Sequence, residues 1–225
     1  MARFARWSVL LAFALLAAAG DSSSPSDATF AFRARTVAAA ASLEGYRLPW
    51  PGGARATVTQ REGPWHRSQV DFAIWRDGDG ASADLLVAAK DGIVRFVKAS
   101  SPDPLRGCFS IACWRKANAV VIQHGADEYS WYVHLAYKSV PSDIQPGAHV
   151  ERGAVIGRQG MTGWTSGVHL HFMVSLDPPE STDPNDPNDL SWPRAIVPVD
   201  FLEAAWSDLR PGTTLLSINY PEAAG

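Results

Sequence analysis

The stretch His169-Leu170-His171-Phe172 constrains the fold of this chain more than any other feature. In a β-strand, successive side chains point to opposite faces, so His169 and His171 share one face, with Cα atoms about 6.5–7 Å apart. Leu170 and Phe172 then point to the other face, where a hydrophobic core can hold them. Two imidazoles side by side on a strand that is backed by an apolar face suit a zinc site on a β-sheet.

Three groups of motifs, of which this pair ends the last, follow one another along the chain. They are 66–73 (HRSQVDFA) with 87–94 (VAAKDGIV), 121–125 (VIQHG) with 132–135 (YVHL), and 147–157 (GAHVERGAVIG) with the glycine-punctuated run up to the histidine pair. The set resembles the lysostaphin/LytM-type zinc metallopeptidases, the beta-lytic-like endopeptidases of peptidoglycan, over residues 45–175. The resemblance implies an all-β, compact antiparallel domain that binds one Zn²⁺ per chain and hydrolyses amide bonds in peptidoglycan peptides.

Zinc in a hydrolytic site binds three protein ligands and keeps its fourth position for water. In the family's pattern the second histidine of the pair is a ligand, and carrying that pattern over assigns His66, Asp71 and His171. Two neutral imidazoles and one carboxylate leave the site a net positive charge, so the ion can lower the pKa of bound water to about 7. His134 and His169 remain as catalytic partners, and the sequence leaves open which of them acts as base and which assists the oxyanion or leaving amine.

The sequence departs from the family's pattern at two points. Four residues separate His66 from Asp71, where the best-known members have three. The family often has a tyrosine shortly before the first ligand, but none lies between Tyr46 and His66; Gln60 stands there, and Tyr132 is a candidate replacement. Three tryptophans flank the motifs and are candidates either for the substrate groove or for ordinary packing: Trp50, Trp65 and Trp164.

Two histidines and both cysteines lie outside the predicted catalytic group. We expect a structural or supporting role for His124 at the end of a strand and a solvated position for His149 in a turn. Cys108 and Cys113 have four residues between them in a chain that we expect to be exported, which favours a disulfide. A metal site at the cysteines is the alternative, and His124 is the only further soft ligand nearby.

The N-terminus has the features of a secretory signal peptide. Arg3 and Arg6 give it a positive start, residues 7–19 are uncharged and mostly apolar, and 17–19 (AAA) form a small-residue cleavage site. The apolar run is too short for a good membrane anchor, and no cysteine follows it that could carry a lipid. We therefore expect export to the periplasm, cell envelope or medium without stable membrane insertion after cleavage; an uncleaved membrane stub is the alternative.

Five regions are predicted along the chain. They are a signal peptide (1–19), a partly flexible lead-in (20–44), the metallopeptidase domain (45–176), an Asp/Pro-rich loop (177–194) and a C-terminal extension packed on the domain (195–225). Short apolar runs between turn signals indicate the strands. Asp91-Gly92 predicts a hairpin between 85–89 and 93–97, 118–123 and 213–218 predict strands, 36–43 a short helix, and 197–206 a strand or short helix. Alternation places Asp71 opposite to Phe72, and His134 on the face of Tyr132.

Other readings fit less well. A catalytically inactive member that binds wall material or activates an amidase is the leading alternative, although all five site positions are filled. A cupin would need a glutamate shortly after His171, and the acidic loop 77–80 lacks the ligand pattern of a calcium loop. The net charge of −3 gives no basic surface for nucleic acid. Which bond is cut, the oligomeric state, and an inhibitory role for the N-terminal extension stay open.

Overall fold

The structure is a computed structural model that describes residues 43–63, 66–75, 84–103, 111–181, 186 and 189–221. For residues 62, 63, 66, 67, 111 and 112 it describes the backbone only. All described residues belong to one compact unit, Ala38–Gly225. No helix within the described ranges has the length and hydropathy needed to cross a bilayer. The signal peptide lies outside the described residues, and the five region boundaries stay predictions.

The described residues form an all-β domain, as predicted. The strands are β1 Leu43–Tyr46, β2 Arg55–Gly63, β3 His66–Trp75, β4 Leu85–Val87, β5 Gly92–Lys98, β6 Ala119–Gln123, β7 Tyr129–Val133, β8 His149–Val150, β9 Val155–Arg158, β10 Leu170–Ser175, β11 Ile196–Val197, β12 Val199–Phe201 and β13 Thr214–Leu216. Two short 3₁₀ helices accompany them, Ile111–Lys116 and Trp206–Asp208.

One large antiparallel sheet organises these strands. Its order is β13-β2-β3-β10-β7-β6-β5-β8, and β11 pairs with the end of β10. Two small sheets lie beside it: β4 pairs with β9 in antiparallel fashion, and β1 pairs with β12 in parallel. The central position of β10, between β3 and β7, is the feature that later positions the site.

The two faces of the large sheet are covered differently. The main core fills one face, where Phe72, Tyr132 and Phe172 are fully buried. On the other face lies a smaller group, here called the second cluster: Trp114, Ala117, Ala119, Val121, Tyr129, Trp131, Val133, Met173 and Leu190. Leu170 and Phe172 belong to the main core, so the alternation predicted for β10 is confirmed.

The hairpin predicted at Asp91-Gly92 is wrong. The two strands that flank the dipeptide lie in different sheets, because β4 pairs with β9 whereas β5 pairs with β6 and β8. A Cβ atom on Gly92 would lie 2.3 Å from the carbonyl oxygen of Gln123. Glycine is therefore required here for the close approach of β6, not for a turn.

The remaining local predictions agree with the structure in part. The strands predicted at 118–123 and 213–218 are confirmed as β6 and β13. The segment 197–206 contains β12 and the first residue of the second 3₁₀ helix. The described residues of 177–194 form no strand, in agreement with the predicted loop. Leu43 begins β1, and residues 36–42 of the predicted helix lie outside the described residues.

A bulge interrupts the pairing of β3 with β2 before Val70. Asp71 lies opposite Gln60 of β2, but the register then shifts so that His66 lies opposite Gly63. The shift inserts extra residues into β3, among which Ser68 has a φ of +56°.

The left-handed backbone at Ser68 predicts a strong dependence on residue type. Glycine adopts this conformation without strain, whereas a β-branched side chain costs on the order of 1 kcal/mol more than serine. We expect Ser68→Val to lower the free energy of unfolding in urea by about that amount, and Ser68→Gly to leave it unchanged or raise it. Equal effects of the two substitutions would show that the positive φ is not adopted in solution.

Candidate metal centre

Strand β10 brings the predicted residues together because it runs between β3 and β7. His171 lies opposite Asp71 on one side and opposite Val133 on the other. Directly opposite residues of antiparallel strands point to the same face. The register therefore places the Asp71 carboxylate beside the His171 ring, and it brings His134, the residue after Val133, to the same end of the sheet.

The carboxylate of Asp71 lies between the two histidines of the pair. Its Oδ1 accepts a hydrogen bond from His171 Nδ1 at 2.7 Å, and its Oδ2 lies 3.6 Å from His169 Nε2. The side chains of Asp71, His171 and His169 are only 8%, 3% and 15% exposed. A carboxylate this deeply buried requires hydrogen-bond donors or a cation around it, and this arrangement offers room for either.

His134 joins the same group by leaving the alternation of its strand. Its φ of +67° turns the chain at the end of β7. Its ring centroid consequently lies 4.7 Å from that of His169 and 5.8 Å from that of His171, while Leu135 turns into the main core. The face predicted for His134, that of Tyr132, is therefore wrong, because alternation ends with the strand.

Backbone carbonyls fix the tautomers of His134 and His169. His134 Nδ1 donates to the carbonyl of Thr162 at 2.6 Å, and His169 Nδ1 donates to that of Gly167 at 3.0 Å. Because a carbonyl oxygen only accepts, the proton resides on Nδ1 in both rings and Nε2 carries the lone pair. Each Nε2 can then accept a proton or bind a metal.

The residues fit a metal ion with the preferences of zinc. Imidazole and carboxylate groups are ligands that zinc binds in proteins, and the Asp71 carboxylate lies 2.7 Å from His171 Nδ1 and 3.6 Å from His169 Nε2. Ligand nitrogens of His134, His169 and His171 also lie within 4.8 Å of one another. Two ligand sets thus compete, the three-histidine set and the set His66, Asp71 and His171; the side chain of His66 lies outside the described residues.

Comparison with known proteins identifies the domain. Residues 77–184 match peptidase family M23. The central segment of this chain is therefore similar to the M23 peptidases. This confirms the resemblance to lysostaphin/LytM-type metallopeptidases that the motifs indicate. Both Asp71 and His66 precede the matched residues, so their placement rests on the strand pairing described above. No curated protein matches the chain.

The chain is similar to several solved structures, including three peptidases. A zinc-containing peptidase from Vibrio cholerae is 25% identical, over 59% of this chain and 34% of that protein, with a TM-score of 0.34. The catalytic domain of lysostaphin from Staphylococcus simulans is 17% identical, over 66% and 85% of the two chains, with a TM-score of 0.36. The catalytic domain of a prophage-encoded M23 protein from Enterococcus faecalis is 19% identical, over 72% and 96%, with a TM-score of 0.39. The alignment thus spans about a third of the Vibrio protein.

Two tryptophans that the sequence did not single out line the candidate metal centre. Trp114 of the first 3₁₀ helix lies 5.8 Å from the ring of His171 and 6.2 Å from that of His134, and Trp192 lies 5.6 Å from His171. Trp114 follows a cysteine, and Trp192 follows the Asp/Pro-rich tract. Neither local context signals a contact with histidines that are distant in sequence.

Two of the aromatic residues that the sequence suggested for the site lie in the main core. Trp50 and Tyr132 are fully buried in the main core. The hydroxyl of Tyr132 accepts a hydrogen bond from the backbone N–H of Ala89 at 2.8 Å. Tyr132 therefore lies on the wrong face of the sheet to replace the missing tyrosine. Trp164 is half-buried, and Trp65 lies outside the described residues.

The remaining histidines and cysteines lie away from the centre. Both ring nitrogens of His124 are hydrogen-bonded, and its ring lies 5.3 Å from that of Tyr46 in the main core, which confirms a structural role. His149 is exposed, as predicted, although it belongs to β8. Cys113 is buried, and no free cysteine occurs in the described part of the chain. Cys108 lies outside it, so their pairing stays a prediction.

Burial shapes the electrostatics of His134. Its pKa is lowered to about 3, first because burial disfavours the charged form and then because His169 and His171 repel a further positive charge. The carbonyl of Thr162 and the charge of Asp71 oppose this shift without reversing it. Near neutral pH the His134 ring is therefore a neutral acceptor.

The depressed pKa of His134 predicts how the stability of the metal-free protein depends on pH. Below about pH 6.5 the unfolded chain binds a proton here that the folded chain does not, so stability falls as the pH drops from about 6.5 towards 3. We expect His134→Gln to flatten the pH dependence of the unfolding free energy in this window, measured in urea with a chelator present. An unchanged slope would show that His134 is not buried as a neutral ring.

Proposed function

We propose that this chain is an exported zinc metalloendopeptidase that hydrolyses amide bonds in the cross-links or stems of peptidoglycan. The convergence of Asp71 with His134, His169 and His171 on one buried patch carries the proposal, and the three histidines lie inside the segment matched to family M23. Membership of a peptidase family supports amide hydrolysis, and imidazoles with a carboxylate are a donor set that binds zinc. The proposed ligands are His66, Asp71 and His171, and the proposed catalytic residues are His134 and His169.

The chain's own residues would handle the protons of the reaction. A zinc ion bound here would supply a Lewis acid for water and for the scissile carbonyl. We assign proton transfer to His169, because it is the more exposed of the two catalytic histidines and because Asp71 Oδ2 lies 3.6 Å from its Nε2. Its imidazolium, held through Nδ1 by Gly167, would return the proton to the leaving amine. His134, kept neutral by burial, would accept a hydrogen bond and orient the water.

Gln60 is our candidate for the role of the missing tyrosine. It lies directly opposite Asp71 in the β2–β3 pair and is exposed, so the register puts it on the face of the site. An amide N–H₂ group is a hydrogen-bond donor suited to an oxyanion. This position is on the β3 side of the centre, whereas His134 approaches from the β7 side.

Removal of the Gln60 amide should slow the reaction without loss of the metal. We expect Gln60→Ala to lower kcat on the order of 10²-fold, with KM and zinc content nearly unchanged, because one oxyanion donor is lost. Thr57→Ala, on the same face of β2 beside Ala73, is the matched control and should keep wild-type kinetics. Equal activity of Gln60→Ala and Thr57→Ala would remove Gln60 from the mechanism.

Digestion of purified sacculi tests the proposed activity. The zinc-loaded protein should release muropeptides whose masses, measured by mass spectrometry, show new amino termini and so reveal the bond that is cut. A chelator or His171→Ala should abolish release, and added Zn²⁺ should restore it only in the first case. Binding to sacculi without release from the zinc-loaded protein would instead favour the inactive wall-binding alternative.

The zinc content of alanine variants distinguishes the two ligand sets. If His66, Asp71 and His171 are the ligands, alanine at any of them should lose the ion, measured by metal analysis after dialysis. Alanine at His134 or His169 should keep about one zinc per chain but lower kcat by roughly 10²–10⁴-fold. The opposite pattern, with zinc lost from the His134 and His169 variants and kept in His66→Ala, would establish the three-histidine set.

A further inference from the structure

The segment 189–192, which follows the residues matched to family M23, contacts the candidate metal centre. Trp192 lies past residue 184, the last residue of the M23 match. Its ring centroid lies 5.6 Å from that of His171 at an interplanar angle of 60° and 4.0 Å from that of Trp114. Trp114 in turn lies 5.8 Å from His171 at an angle of 71°. Two indoles in mutual contact, with their planes tilted by 55°, therefore pack against the one imidazole that both candidate ligand sets contain.

The segment is attached at several points, so the contact is built into the fold. Leu190 is buried in the second cluster. The backbone N–H of Ser191 donates to the carbonyl of Glu180 at 2.8 Å. Asp189, itself buried, places Oδ1 3.8 Å from Nε of Arg115, the residue after Trp114. These contacts join the segment to the 3₁₀ helix that carries the other indole.

A histidine that binds a metal must hold its ring in one orientation. The last torsion of a histidine side chain has a broad energy minimum, so the backbone alone does not set the plane of the ring. Asp71 Oδ1 holds one edge of the His171 ring through Nδ1 at 2.7 Å. The indoles of Trp114 and Trp192 contact the ring at steep angles and limit its rotation. Groups of this kind outside the ligand set affect metal affinity strongly.

We propose that Trp192 is a positioning residue for His171, so that the affinity of the centre for zinc depends on the Trp192 indole. This rests on the proposed function only in that His171 is taken as a zinc ligand. The Trp192 indole limits rotation of the His171 ring and shields one side of it from water. Trp114 packs against Trp192. Removal of the indole leaves every ligand in place but lets the His171 ring rotate.

Zinc affinity measured against a chromophoric chelator tests the proposal on the full chain. Trp192→Ala should weaken zinc binding by roughly 10–100-fold, and Trp192→Phe should restore most of it because a ring again packs on His171. The Co²⁺-substituted Trp192→Ala protein should show a shifted visible absorption band, which reports the geometry of the ligands. Leu190→Ala is the matched control, because it removes a buried side chain of the second cluster near Trp192 and leaves both indoles on His171.

The control separates positioning from general stability. Leu190→Ala should lower the unfolding midpoint but keep wild-type zinc affinity and Co²⁺ spectrum in the folded protein. Wild-type zinc affinity in folded Trp192→Ala would overturn the proposal, and so would an equal loss of affinity in Leu190→Ala. If Trp192→Ala does not fold, Trp192→Leu keeps the apolar bulk and is judged in the same way. Retention of zinc by His171→Ala would overturn the ligand assignment itself, which is a different failure.

Discussion

The pairing of β10 with β3 is the constraint on which the site depends. It places His171 opposite Asp71, and the 2.7 Å hydrogen bond between them follows from that register. A slip of either strand by one residue would move its site residue, Asp71 or His171, to the other face of the sheet. Phe72 and Phe172, fully buried on that other face, oppose such a slip because it would carry one of these aromatic rings out of the main core. Packing in the hydrophobic core thereby fixes the register that positions the polar site on the opposite face.

The part of the site that obeys strand alternation could be predicted from sequence. His169 and His171 share a face, and Asp71 points away from Phe72, because both facts follow from a period of two within a few residues. The family motifs brought His134 into the same group. Local patterns are informative here because the strands concerned are short, regular and apolar on one side.

The rest of the site depends on backbone conformations and contacts that no local pattern contains. At Ser68 and His134 a positive φ interrupts the alternation of side chains, although neither residue is a glycine. Tyr132 has the residue type for an oxyanion donor but the wrong face of the sheet. Trp114 and Trp192 reach the centre through tertiary packing, Trp114 from a short 3₁₀ helix and Trp192 from the predicted Asp/Pro-rich loop. Gly92 is a further example, because a dipeptide that is typical of turns instead allows β6 to approach closely.

The glycine-punctuated run before β10 has a chemical role that links fold and site. Its carbonyls at Thr162 and Gly167 hold the Nδ1 protons of His134 and His169, so one segment sets the tautomers of both rings. Gly163 has a φ of +79°, and a Cβ atom there would lie 2.6 Å from the Cβ of Ala117. At Gly163 the run can approach Ala117 this closely only because glycine has no Cβ atom. Thr162, the residue before Gly163, is fully buried, and its carbonyl holds the Nδ1 proton of His134, so the close packing of this loop helps to decide where that proton resides.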